Sequence, residues 1–171
     1  MHHLRYEIAA TSSSSPVYST QCSSEAEIVV DKKRIAVIVL SIFIAFVFVQ
    51  SLFFKFSDAP ETQHIFGTLN DWTVALGVGN LFAKNGIFSQ YVIGSAELVA
   101  SILVLSGAFL RKRLFSLGGG LMATAIMSGA ITFHLFTPLG VEVQGDSGTL
   151  FIMACLVWLS GLGLAWMHRR S

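Results

Sequence analysis

Four stretches of the chain, 35–54, 91–110, 114–136 and 149–167, are each close to one membrane thickness long and almost free of charge. A helix rises about 1.5 Å per residue, so about 20 residues cross the ~30 Å hydrocarbon core. Inside lipid each backbone N–H and C=O needs a partner, and a helix supplies these partners within one segment. The expected fold is therefore all-α, an integral membrane four-helix bundle spanning 35–167. The composition agrees: 12% of the 171 residues are charged, against about a quarter in a soluble domain. The net charge of +1 gives no reason to expect a nucleic-acid partner. The first run is too long for the apolar region of a signal peptide, and Pro60 spoils a cut after Ala59, so it is read as a retained span.

The flanking charges orient the spans. Lys32, Lys33 and Arg34 precede the first, Arg111, Lys112 and Arg113 join the second to the third, and Arg169 and Arg170 follow the fourth. The other two loops carry mainly acids: Asp58, Glu61, Asp71, Glu142 and Asp146. Basic loops stay on the cytoplasmic side, so both termini are expected there. Residues 1–34 read as a disordered, Ser-rich cytoplasmic tail, in which His2 and His3 are incidental, and 168–171 as a short basic tail.

In the first outer loop, Ser57 or Asp58 can cap a short helix running from Pro60 to Phe66. Asp71 can cap a second helix from Trp72, ended by Asn85 and Gly86. Trp72, Leu76, Phe82 and Phe88 suit a segment at headgroup level. Asp146 or Ser147 can cap the fourth span.

Four polar side chains interrupt or close the apolar runs: Gln50, Lys55, Glu97 and His134. A carboxylate within a span is costly and usually marks a functional site facing the bundle interior. Glu97 lies six residues into the second span, ~9 Å below its outer end. The topology puts all four residues in the outer third of the bilayer. Lys55 alone is read as an anchor whose ammonium reaches the interface, Gln50 as interhelical glue, and His134 as either a partner of Glu97 or a neutral ring bonded to a backbone carbonyl. His134, Glu97 and His64 together could suit zinc, but no helical ligand spacing supports it, and no metal is assigned. Cys22 and Cys155 lie far apart, which argues against dithiol chemistry; Cys155 is read as a small packing residue.

Phe54-Lys55-Phe56, Ala59-Pro60-Glu61-Thr62, Gly94-Ser95-Ala96-Glu97-Leu98, Phe133-His134-Leu135 and Gly140-Val141-Glu142-Val143-Gln144-Gly145-Asp146 together resemble the DoxX-like family of small, mostly bacterial, four-helix membrane proteins. The resemblance covers 35–167. It implies the four-helix bundle and residence in a bacterial inner membrane, and it allows a quinone-linked role, in which the electron donor would be a partner protein because the sequence carries no motif for flavin, haem or iron–sulfur binding. In that role Gln50 and His134 would bind the quinone oxygens, Glu97 would deliver protons and Lys55 would stabilise developing negative charge. Two other functions remain open. One is a non-enzymatic scaffold or interaction subunit, in which the same residues fix helix register and small-residue faces support homo-oligomers. The other is transport of a small solute or ion, against which the inner halves of the spans offer no matching acid or base.

Overall fold

The computed structural model describes residues 16–169, with side chains described from Lys32 onward. The described elements are all helical: α1 (Pro16–Phe56), α2 (Pro60–Ala75), α3 (Gln90–Phe109), α4 (Arg113–Phe136) and α5 (Thr149–Arg169). The chain divides into two units, 1–33 and 34–171. In the first, the backbone is helical from Pro16, where the sequence led us to expect disorder. Proline is tolerated in a helix's first turn, and the stretch from Glu25 to Val30 contains nothing that breaks one. The remainder of the expected tail, with His2 and His3, lies outside the described residues.

Among the described residues, four segments are long and apolar enough to cross a membrane: 32–56 of α1, and α3, α4 and α5 in full. Their ends fall within two residues of the sequence reading except at the start of the first, which comes three residues earlier, close to the usual uncertainty of a helix boundary. All four contribute to one apolar core, with Ile44 and Phe48 from α1, Val104 from α3, Ala123 from α4, and Val157 and Leu164 from α5. Two glycines set how closely the helices approach. A Cβ on Gly119 would lie 2.7 Å from the backbone nitrogen of Val104, so α4 rests directly on α3. A Cβ on Gly161 would lie 2.7 Å from the carbonyl oxygen of Gly120, so α5 meets α4 backbone to backbone. Such small-residue contacts are how helices pack where lipid supplies no hydrophobic drive. Large apolar side chains stand exposed on every one of these helices, including Phe46, Ile102, Leu121 and Leu159.

The fifth helix, α2, builds a cap. Leu69 packs with Phe82, Leu139 and Val143 in a second core, with Phe133 at the end of α4 against it. The cap thus joins α2, segment 76–89 and segment 137–148 over one end of the long helices. The two short helices expected between Pro60 and Asn85 are in fact one. Nothing between Phe66 and Trp72 breaks the chain, since a single Gly67 costs a helix only about 1 kcal/mol. Asp71 therefore lies inside α2, and the helix ends where Gly77 and Gly79 take positive φ. Ala59 is its N-cap, with no capping side chain. Asp58, expected to cap, instead adopts φ 53° and turns its carboxylate to other partners.

Candidate functional site

Lys55 occupies the last turn of α1 and Glu97 the second turn of α3. The ammonium donates to both carboxylate oxygens, at 3.0 and 2.9 Å. It also donates to the Ser51 hydroxyl, one turn earlier on the same face of α1. Gly94, one turn before Glu97, lets the helices approach: a Cβ there would already be 3.3 Å from the side chains of Leu52 and Phe56. Glu97 is buried to 2% exposure. The Lys55 side chain keeps 13% of its surface. Below the carboxylate, Ser101 donates to the Glu97 carbonyl at 2.8 Å. The ion pair is therefore closed: each charge faces the other, and both lie at the seam between two spans.

A second polar group sits directly above it. The buried amide of Gln90 donates to the Lys55 carbonyl at 2.8 Å and to Asp58 Oδ1 at 2.5 Å. Gln63 of α2 donates to Gln90 Oε1 and to Asp58 Oδ1, at 2.9 and 3.0 Å. Lys84 donates to Asp58 Oδ2 at 3.0 Å, and the Tyr91 hydroxyl to Oδ1 at 3.3 Å. Four side chains thus converge on one carboxylate, tying the end of α1 to α2, to segment 76–89 and to the start of α3. The hydrogen bonds from Lys84 and then Gln90 hold the Asp58 carboxyl below its ordinary range, and the same contact with Asp58 raises Lys84.

His134 lies elsewhere, in the last turn of α4. Its Nδ1 is 2.6 Å from the Gly140 carbonyl oxygen, and its ring packs edge-on against Phe151. A carbonyl can only accept, so Nδ1 carries the proton and donates. This is the bond to a backbone carbonyl weighed from the sequence: the partner of His134 is Gly140, and that of Glu97 is Lys55. The loop that supplies Gly140 is itself pinned by Asp146, whose carboxylate accepts from the backbone N–H groups of Val143, Gly148 and Leu150. Partial desolvation pushes that carboxyl up, but the three donors outweigh it and leave it below its ordinary value.

The four residues singled out in the sequence are therefore not one constellation. Lys55 and Glu97 meet, His134 is committed to its own loop, and Gln50 is exposed on α1. His64 is exposed on α2, and among the described residues no group of three or more His, Cys, Asp or Glu side chains could hold a metal ion. Cys155 is a free, half-buried thiol; Cys22 lies where side chains are not described. Gln90, Gln63 and Lys84 were missed. Gln90 had a readable signal: with Gly94, Glu97 and Ser101 it recurs at helical spacing, so the four share one face of α3. Gln63 and Lys84 had none, because tertiary folding of the cap brings them in. Comparison with protein-family models, curated proteins and solved structures finds no match.

Proposed function

We propose that this chain is a DoxX-like multi-pass subunit of a bacterial inner-membrane assembly, a four-helix bundle with both termini in the cytoplasm. Its role is that of a membrane-embedded interaction subunit, and its buried polar site locks the bundle. The observation that carries this is the saturation of the Lys55–Glu97 pair. The Lys55 ammonium already has three oxygen partners, and Glu97 has both oxygens engaged. A buried ion pair so enclosed fixes register, since sliding α1 along α3 by one turn would strand two charges in an apolar seam. The basic residues at one end of the spans and the acidic cap at the other support the orientation.

A quinone-linked redox role is the second reading. It is favoured by the remaining exposure of Lys55 beside the Phe56–Tyr91 ring pair, whose centroids are 5.8 Å apart. An aromatic edge next to a cation suits a planar ring bearing carbonyl oxygens. An electron-donating partner would complete that reading. Extraction of isoprenoid quinone from the protein in nanodiscs, followed by mass spectrometry, separates the two. No quinone in wild type, with Glu97→Gln and Lys55→Met merely less stable, supports the interaction subunit. Stoichiometric quinone in wild type, lost in both variants at unchanged folding, replaces it with the redox role.

A further inference from the structure

The segment joining α2 to α3 has two faces of different fate. Its inner face supplies Leu81 and Phe82 to the core of the cap. Its outer face, with the last turn of α2, leaves Val74, Leu76, Val78, Ile87 and Phe88 uncovered, from 42% exposed at Phe88 to 66% at Ile87. Loops that face water carry mainly polar residues there, and the rest of this cap does so apart from Val141, which is 42% exposed. The exposed positions of α2 include Glu61, His64 and Asp71, and those of 137–148 include Glu142, Gln144 and Ser147. Between residues 74 and 88 the one charge is Lys84, and it is turned onto Asp58.

The chain fixes how far this apolar face can stand from the spans. Ser89 caps α3, its hydroxyl accepting from the Val92 N–H. Ile87 and Phe88 thus come immediately before the first turn of a span whose Val92 is itself half exposed. Two or three residues reach at most about 10 Å, so both rings and branches stay within the thickness of a headgroup layer. Phe56 and Tyr91 mark the same level on α1 and α3. The uncovered surface at Ile87 and Phe88 therefore adjoins the apolar surface of α3, and Val78, Leu76 and Val74 extend the uncovered run back along the chain.

We infer that segment 74–88 is seated in the headgroup layer of the outer leaflet, with the lipid surface itself as the partner of its exposed apolar side chains. This rests on the membrane reading of the spans. The cap then has a wet side, formed by α2 and 137–148, and a lipid side, and Lys84 sits at their boundary.

The test uses the full chain with Cys22→Ser and Cys155→Ala, reconstituted in phosphatidylcholine–phosphatidylglycerol vesicles. Single cysteines replace Leu76, Val78 or Ile87, with Val74 as the reserve position, and each carries a nitroxide. Collision with oxygen, which concentrates in lipid, is compared with collision with a water-soluble nickel chelate. Labels at Phe46 and Leu121 report the spans, and labels at His64 and Glu142 report water. The expected result is an oxygen-to-nickel ratio at 76, 78 and 87 several-fold above that at 64 and 142, and below that at 46 and 121. Ratios at 76, 78 and 87 equal to the aqueous pair, with 46 and 121 still in lipid, overturn the inference alone and leave a protein as the cover of this face. Aqueous ratios at 46 and 121 as well overturn the membrane reading and the inference with it.

Discussion

Lys55–Glu97 and Lys84–Asp58 are ion pairs of nearly equal length, 2.9 and 3.0 Å, and their acceptor and donor lie three residues apart on the chain at Asp58 and Lys55. Their surroundings differ. The first pair keeps 13% and 3% of its side-chain surface, the second 57% and 42%. Around Lys84 and Asp58, water competes for both charges and salt screens them, so either partner can be lost at little cost. Glu97 is buried from water, and its carboxylate is bonded to Lys55 of α1. Its charge is tolerable while Lys55 is present and costly without it. Contact distance does not rank the two pairs; the solvent that would replace a lost partner does.

The largest effect that sharpens this contrast comes from removing one buried partner. Glu97→Leu leaves the Lys55 ammonium without its counter-charge and is expected to destabilise by about 3–5 kcal/mol. Thermal unfolding in nanodiscs measures it, and a loss no larger than that of Lys84→Ala erases the contrast. Gln90 comes next, because it joins the two regions. Gln90→Leu removes donors from the Lys55 carbonyl and from Asp58, and a cost of about 1–3 kcal/mol is expected. Hydrogen exchange checks the route: faster exchange is expected in α2 and little change in the inner half of α3.

A smaller effect concerns Asp146, a cap carboxylate that accepts from three backbone N–H groups. Its folded-state pKa is lowered, so its contribution is present above the unfolded value, near pH 4, and is lost as pH falls through the lower folded value. The gap in unfolding temperature between wild type and Asp146→Asn should be full at pH 7 and shrink toward pH 3. A gap that does not change with pH contradicts the role of its charge. The smallest effect is expected of Lys84→Ala. Its unfolding temperature should stay close to wild type, with any difference reduced further in high salt.

The apolar architecture was legible because a span announces itself over about 20 residues. The runs ending near Phe56, Phe109, Phe136 and Arg169 needed no knowledge of their neighbours. The depth argument put Lys55 and Glu97 at one level, and they meet. The same argument grouped Gln50 and His134 with them, because depth carries no information about azimuth. Gln50 follows Phe48 by two residues, which is over half a helical turn, and so leaves the core face. His134 was drawn away by a nearer acceptor, the Gly140 carbonyl, presented by a loop whose path the sequence does not encode locally. The cap was least legible: α2 runs through Asp71, and the convergence of Gln63, Lys84 and Gln90 on Asp58 depends on long-range packing.

A double-mutant cycle on Lys55→Met and Glu97→Leu, read by unfolding in nanodiscs, tests the structural lock most directly. If the pair holds α1 to α3 as described, each single variant loses several kcal/mol and the double variant recovers most of it, since two apolar side chains replace two charges without stranding either. Additive losses, with the double variant the least stable of the three, would contradict the lock and show that Lys55 and Glu97 act independently.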